Sequence, residues 1–488
     1  MIIEALLVIP VIAAILVYLI KHRLAIEIIS ITGMALVMMI CLYLSWSVFS
    51  EGPVTGSFWY LDGLGAYVLL IIAFIGTAAA IYSIGYLGRE YEHHDIDLGR
   101  IRYYHMFFHV FIFTMLLVCV SSNLGIMWIA IEATTLASAF LVGFYNKDTS
   151  VEAAWKYIII CSVGITLALL GTILIYASSV NSLGESPDAL SWPTLTEHAK
   201  SLDPTLLKIA FILVIVGYGT KVGFAPMHTW LPDAHSEAPT PISGLLSGVL
   251  LNVAMYGILR YHIILTGALG SGYSGALLIL FGLLSLATAA VFILLQKDYK
   301  RLLAYSSIEH MGIIAIGFGI GGPLGIFGAL LHILNHAITK SLMFFGAGNI
   351  LLKFKTKSIS DVKGIATLMP LTAAFFVAGG LAITGSPPFG IFISELLILI
   401  AGFAGGNYPV SIAYLLLLVI IFAGFIYHIS RMAFGEPPAG TTKEEPNHIG
   451  LGVMAILLLA ALVLGLYIPQ ALSSSLVDIV KIFGGSPV

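Results

Sequence analysis

Charge is what this chain has least of. Of its 488 residues, 10 % are Asp, Glu, Lys or Arg and 59 % are hydrophobic, whereas a soluble domain carries roughly a quarter charged residues. No fold of this length hides so much apolar surface from water, so the bilayer must be the solvent. The formal net charge of −3 comes with no basic patch, and nucleic acid is not an expected partner. Cysteine is scarce as well. Cys41, Cys119 and Cys161 all fall inside apolar stretches, with no paired metal spacing and no disulfide framework. The sequence lacks a βαβ pattern, a GxGxxG opening a helix and a Walker motif. No cofactor is therefore expected in this chain, and any redox or nucleotide chemistry falls to partner chains. The N-terminus lacks a basic region ahead of its apolar run, because Lys21 and Arg23 come after it. It reads as a retained first span rather than a cleaved signal. None of the polar segments, near 88–102, 178–204 and 435–448, is long enough to fold as a soluble domain.

What fills the chain instead is apolar runs. A membrane helix needs roughly 20 such residues. About fourteen spans result, near 2–20, 25–47, 62–86, 104–121, 124–145, 157–178, 206–226, 242–265, 274–295, 302–320, 323–350, 366–402, 410–434 and 449–470. Span twelve is too long for one helix and contains GSPPFG at 385–390, so two half-helices are expected. Basic residues separate by loop parity. The odd-numbered loops hold most of them, from Lys21 and Arg23 through Lys147, Lys300, Arg301 and Lys357 to Lys443. The even loops and the tail hold only Lys200, Lys208 and Lys481. The positive-inside rule then makes the odd loops cytoplasmic and puts both termini on the opposite side of the membrane. Spans seven and twelve are both interrupted by Gly and Pro and lie five apart, the pattern of an inverted-repeat transporter.

Lys221 sits in one of these interruptions, GYGTKVGFAP. A fixed cation in a span costs about 2.5–3.5 kcal/mol even on the lenient insertion scale, and such residues usually mark ion pathways. Glu132, mid-span in LGIMWIAIEATTLASAFLVGF, is its expected partner. An opposite charge within about 4–6 Å favours both charged forms, so changing their separation would load or release a proton. A static ion pair joining two helices is the alternative.

His332, His336 and Lys340 recur at i, i+4 and i+8 in LLHILNHAITKSLMFF. They share one helix face, about 12 Å from end to end. Imidazole donates from one nitrogen and accepts on the other, so such a stripe can relay protons along a wet seam. Structural hydrogen bonding and metal or haem ligation by the two histidines are the rivals, although the Glu of H-E-x-x-H is missing. No metal ligand is assigned. Glu395, after the GSPPFG break, is a candidate for exchanging protons with water on one side, or a neutral packing residue. Glu309 and His310, near the start of span ten, read as a cytoplasmic uptake port or as interfacial residues without a role. His228, Asp233, His235 and Glu237 cluster after the span-seven break with spacing too loose for a metal. Asp233 is expected to cap the half-helix that follows, and His228 is retained as a possible relay.

Three motifs carry a family resemblance. KVGFAPMHTWLPDAHSEAPTPISG, KDYKRLLAYSSIEHMG and LHILNHAITKSLMFFGAG resemble signatures of the antiporter-like subunits shared by respiratory complex I, Mrp-type sodium/proton antiporters and membrane-bound energy-converting hydrogenases. The resemblance covers roughly residues 60–435. It implies an all-α polytopic fold of fourteen helices, with helices seven and twelve broken and two inverted five-helix repeats. The division would be 1–103 (spans one to three), 104–265 (first repeat), 274–434 (second repeat) and 449–488 (span fourteen and tail). It also implies a role in ion transfer for Glu132, Lys221, His332, His336, Lys340 and Glu395. One departure stands out. Family members usually carry a lysine or histidine in span eight, where this chain has Ser247 and Asn252, neither able to hold a charge. Asn252, EHMG at 309–312 and HISRMAFGEP at 428–437 are most similar to the hydrogenase-4 component F and formate-hydrogenlyase type.

The expectation is a proton- or Na⁺-translocating subunit of a redox-driven complex in a prokaryotic cytoplasmic membrane. Its partners would be other antiporter-like and small multi-pass subunits and a peripheral module carrying Fe–S clusters and a NiFe or other redox centre. Membership of complex I, of an Mrp antiporter, or a scaffold that has lost transport are the alternatives. The chain itself would do no bond-making chemistry.

Overall fold

The computed structural model describes residues 1–438 and 440–484. Among the described residues, thirteen helices are long and apolar enough to cross a membrane, from Ile2–Leu19 to His448–Leu466. Two shorter apolar helices, Pro370–Ile383 and Gly390–Ala404, stand where span twelve was expected, and counting that pair as one crossing gives fourteen. Among the described residues, the only sheet is a two-stranded ribbon, Val54–Thr55 against Tyr60–Leu61. The chain is thus an all-α polytopic membrane protein. Span six is longer than hydropathy indicated, Asp148–Leu183. The tail folds back as an amphipathic helix, Gln470–Ile482, with Leu476, Ile479 and Val480 buried.

Burial separates inner spans from outer ones. Span eight (Thr240–Leu269) is buried throughout its apolar window, whereas spans one, two, six, nine, thirteen and fourteen turn most of theirs outward. Those outward faces carry large apolar side chains such as Trp46, Trp155, Leu416 and Leu459, the surface that lipid or neighbouring spans cover.

Close helix pairs are made through glycine, which lets backbones approach where lipid supplies no hydrophobic push. A Cβ on Gly217 of span seven would lie 2.5 Å from the Ala168 nitrogen and 2.6 Å from the Gly164 oxygen of span six. Both obstacles are backbone atoms and cannot swing aside. Gly217→Ala is therefore expected to force spans six and seven apart and destabilise the protein by about 1–3 kcal/mol, read as a lower melting temperature in detergent.

Both expected breaks are present. The first half of span seven, Pro204–Val222, ends at Gly223 in the left-handed region (φ 85°), a C-terminal stop that glycine adopts without strain. The chain turns through Met227–Thr229 and resumes as Trp230–Glu237. Trp230 reaches back, its indole N–H donating to the Thr220 carbonyl at 2.8 Å, which satisfies one acceptor freed by the break. In span twelve, the halves are separated by Thr384–Phe389. Asn335 of span eleven holds the second half by donating to the Gly390 carbonyl at 2.7 Å.

Candidate functional site

Lys221 is fully buried in the last turn of the first half of span seven. The helix C-terminus presents the negative end of its dipole there, which favours an ammonium. Its Nζ donates to Thr135 Oγ1 at 2.8 Å and to the Tyr157 hydroxyl, and lies 4.6 Å from the Tyr157 ring centroid. Tyr157 is held by Ser138 at 2.7 Å and by packing against Trp230, with ring centroids 4.6 Å apart.

Glu132 is near but not paired directly. Among the described residues Lys221 makes no ion pair within 4.0 Å. Thr135, one turn along span five (Leu124–Val142), stands between them: it accepts from Lys221 and donates to Glu132 Oε2 at 3.3 Å. Ser162 of span six donates to Glu132 Oε1 at 2.8 Å. The expected Glu132–Lys221 contact is thus corrected to a bridge through a hydroxyl. Physically, Thr135 supplies the acceptor that a buried ammonium needs and the donor that a carboxylate needs.

Span eight lies between this site and span eleven. Its residues Leu246–Leu250 form a π-helical turn, a widening frequent at functional sites. Gly248 in that turn closes on span eleven, where its Cβ would meet the Ala337 oxygen and Ser341 Oγ, both at 2.9 Å. On the other side, a Cβ on Gly257 would meet Ile131 of span five at 3.0 Å and Tyr218 of span seven at 3.4 Å. Ser247 bonds Ser307 of span ten at 2.7 Å. Asn252 donates to the Gly248 carbonyl at 2.8 Å, and its Oδ1 is buried without a partner.

The span-eleven stripe is present and fully buried: His332, His336 and Lys340 on Gly322–Phe354. Here the structure corrects the reading of Glu309 and His310. They are not exposed at a helix end. They are buried within Tyr299–Ile320, and His310 joins the stripe. Its Nδ1 is 3.0 Å from His332 Nε2, and its ring lies 5.2 Å from that of His336. His332 Nδ1 is 2.9 Å from Ser394 Oγ, whose hydroxyl donates to the Ile391 carbonyl at 2.9 Å. Each of these contacts joins one ring N–H to one bare acceptor, and either ring of the His310–His332 pair can be the donor. Among the described residues, His310 Nε2 and both nitrogens of His336 have no hydrogen-bond partner. Lys340 donates to the Leu303 carbonyl at 2.7 Å.

Glu395 completes the row. Its donor atoms and those of His310 and His332 lie within 4.8 Å of one another. Two imidazoles and a carboxylate converging this way can share protons or hold a metal ion. This set differs from the His332/His336 pair weighed above, and it draws on neighbouring helices. The carboxyl lies over Gly385 in the span-twelve break, with Oε1 buried and unpartnered. Beyond it a crevice of about 250 Å³, lined by Thr384, Leu396, Tyr414 and Phe422, opens between spans twelve and thirteen.

Two expectations do not join the row. His228 faces the rings of Phe292 and Tyr305, 6.4 and 6.1 Å away. Asp233 caps nothing; it lies inside Trp230–Glu237 and pairs with Arg301 and Lys156. Conversely, the sequence reading passed over Arg260, which is buried in span eight and bonded to Asp62 by two hydrogen bonds of 2.6 and 2.7 Å. An arginine inside LLNVAMYGILRYHIILTG was the available signal. His105 and His109, both 3.0–3.1 Å from Ser30, form another buried polar group that it did not single out.

Over residues 121–421 the sequence matches the family described as NADH:quinone oxidoreductase/Mrp antiporter, TM. It is 42 % identical to a hydrogenase-4 component F homolog of Methylacidiphilum infernorum (isolate V4), over 86 % of this chain and 88 % of that protein. It is 30 % identical to the NADH-quinone oxidoreductase subunit N of Desulforudis audaxviator (strain MP104C), over 86 % and 83 %. A chain of the membrane-bound sulfane sulfur reductase, an archaeal respiratory membrane complex, superposes with a TM-score of 0.88 over 99 % of this chain and 98 % of that one. At 24 % identity that likeness speaks to the fold alone.

Proposed function

Because this chain belongs to the NADH:quinone oxidoreductase/Mrp antiporter transmembrane family, we propose that it moves protons for a redox-driven membrane complex of the hydrogenase-4 or formate-hydrogenlyase type. The observation that carries this reading is the file His336–His310–His332–Glu395, three imidazoles and a carboxyl gathered from three helices into one buried layer. Imidazole is the side chain suited to passing protons near neutrality. The unpartnered nitrogens of His310 and His336 leave room for an added proton or for water. The ion is therefore proposed to be H⁺ rather than Na⁺, whose coordination favours oxygen ligands over imidazole.

Lys221 is proposed to be the gated store. Its proton is held by Thr135, Tyr157 and, through Thr135, Glu132. A neighbouring subunit that draws Glu132 away weakens that hold. A hydrogen bond to a charged group is worth about 1.5–3 kcal/mol, and moving one charge against 100 mV costs about 2.3 kcal/mol, so one such bond matches the load. Electron transfer, with its Fe–S and NiFe or other centres, is assigned to partner subunits. The two five-span units, 104–265 and 274–434, are proposed to be inverted repeats, with the lysine-rich loops facing a prokaryotic cytoplasm and both termini opposite. A scaffold role is the second reading, favoured by Ser247 and Asn252, which leave no charge-holding station in span eight.

The assembled complex in proteoliposomes, given its electron donor, is expected to build a pH gradient that an uncoupler collapses. With Glu395→Gln, the redox partial reaction measured in detergent is expected to continue while the gradient falls at least fivefold. An unchanged gradient would favour the scaffold.

A further inference from the structure

A cavity of about 220 Å³ opens on the lysine-rich face, lined among others by Glu90, Tyr145, Glu237, Lys300, Lys355 and Lys357. On its rim, Lys355 pairs with Asp95 at 2.7 Å and Lys357 with Glu237 at 2.6 Å, while Lys147 lies over the Tyr145 ring, 5.7 Å from its centroid. The two inner charges are unmatched. Glu90 is 7 % exposed; it accepts from the Tyr145 hydroxyl at 2.6 Å on Oε1, and its Oε2 is buried without a partner. Lys300 is 1 % exposed and donates to the Ser236 and Ala238 carbonyls at 2.9 and 2.6 Å. Among the described residues, neither has an ion-pair partner within 4.0 Å. A buried charge costs several kcal/mol unless something solvates it. The cavity has room for a cluster of waters, and the two unmatched groups are what that water would solvate.

The cavity also leads somewhere. Ser236, which holds Lys300, follows His235, a fully buried imidazole with neither nitrogen partnered. The ring of His235 stacks on Phe344 of span eleven, with centroids 5.4 Å apart. Lys340 of the same span donates to the carbonyl of Leu303, three residues deeper along span ten than Lys300, or about 4.5 Å. From the rim to the span-eleven stripe, the titratable groups therefore follow one another without crossing span eight. The way from Lys221 must cross span eight, where Ser247 and Asn252 hold no charge.

We propose that this cavity is the water-filled uptake mouth for the span-eleven file, with Glu90 as its proton-accepting wall and Lys300 lining it opposite, and that protons enter the file there without passing through Lys221, whose gating still drives them on. The inference rests on the proton-transfer reading above. It also explains how the file operates without a lysine in span eight.

The test uses the assembled complex in proteoliposomes, scored for proton uptake from the lysine-rich side per electron transferred, with variant amounts normalised to assembled complex. Glu90→Gln is expected to lower uptake at least fivefold, and Glu90→Asp, which keeps the carboxylate, to restore at least half. A cysteine introduced in the wall, Leu351→Cys, is expected to react with a membrane-impermeant maleimide from that face. The native cysteines are all buried, so background labelling is low. Normal uptake in Glu90→Gln alongside loss in Lys221→Met overturns the mouth and leaves the transport reading standing. Normal uptake in both overturns the two together. Failure of Leu351→Cys to label from the lysine-rich face also overturns the mouth, because a closed cavity admits no water.

Discussion

Lys221→Met in the assembled complex is expected to cut driven proton translocation by about ten- to a hundredfold. Methionine keeps the length and apolar stem of lysine, so the packing against Tyr157 survives while the charge goes. What is lost is an ammonium that donates to Thr135 and Tyr157. Such bonds are worth about 1.5–3 kcal/mol each, and every 1.4 kcal/mol is tenfold in a rate if the barrier bears it. Thr135→Val separates storage from gating. It preserves both Glu132 and Lys221 and removes only the hydroxyl between them. Translocation is expected to fall roughly tenfold, with electron transfer less tightly coupled to it. Ser162→Ala, which strips one bond from Glu132 at 2.8 Å and none from Lys221, is expected to have the smaller effect. If Thr135→Val pumped like the wild type, the hydroxyl would be packing and the gate would lie elsewhere. The readout is the initial rate of pH change per electron, with variant amounts normalised.

The largest stability loss is expected at the Asp62–Arg260 pair. Both side chains are 3 % exposed. Asp62 accepts two hydrogen bonds from the guanidinium and a third, at 2.9 Å, from the Gly65 amide at the start of span three. Arg260 also donates to Tyr256 at 2.7 Å and lies over Trp192, 4.2 Å from the ring. The carboxylate thus ties span three to span eight, and Arg260 in turn meets the short helix Trp192–Glu197. Asp62→Ala leaves the guanidinium buried and unpaired, which costs about 3–5 kcal/mol. The expected result is a sharply lower melting temperature in detergent, with little change in translocation per folded complex at low temperature. Asp62→Leu combined with Arg260→Met is expected to regain most of the loss, because removing both charges removes the penalty. A double variant as unstable as Asp62→Ala would show that the bonds, rather than the orphaned charge, hold the two spans together.

These sites also show what a sequence discloses and where it stops. The spans were legible because lipid demands unbroken apolar length, and the breaks at Gly223 and 384–389 because Gly and Pro interrupt a helix in known ways. The His332–His336–Lys340 stripe was legible because helical periodicity puts i, i+4 and i+8 on one face. Periodicity says nothing of what stands opposite. That is why Glu132 was matched to Lys221 directly: charge suggested the partner, and only the packing of spans five and seven inserts Thr135. His310 was left open between an uptake port and an interfacial residue because its span was taken to begin near 302. The helix begins at Tyr299, and it is its packing against span eleven that sets His310 beside His332 and His336. The π-helical turn at Leu246–Leu250 follows from a shifted backbone register that no side chain advertises. Arg260, Glu90 and Lys300 were visible as charges but not as a buried pair and a cavity wall, since each depends on elements far apart in the chain.

The most direct measurement is a map of the complex in a lipid nanodisc at a resolution that locates water. The layer through Lys221, Asn252, His336 and Glu395 is expected to hold ordered waters, one of them on the otherwise unpartnered Oδ1 of Asn252, and the Glu90–Lys300 cavity is expected to be wet. Continuous side-chain density around these groups, with no water between Lys221 and Glu395, would mean that protons do not travel this way.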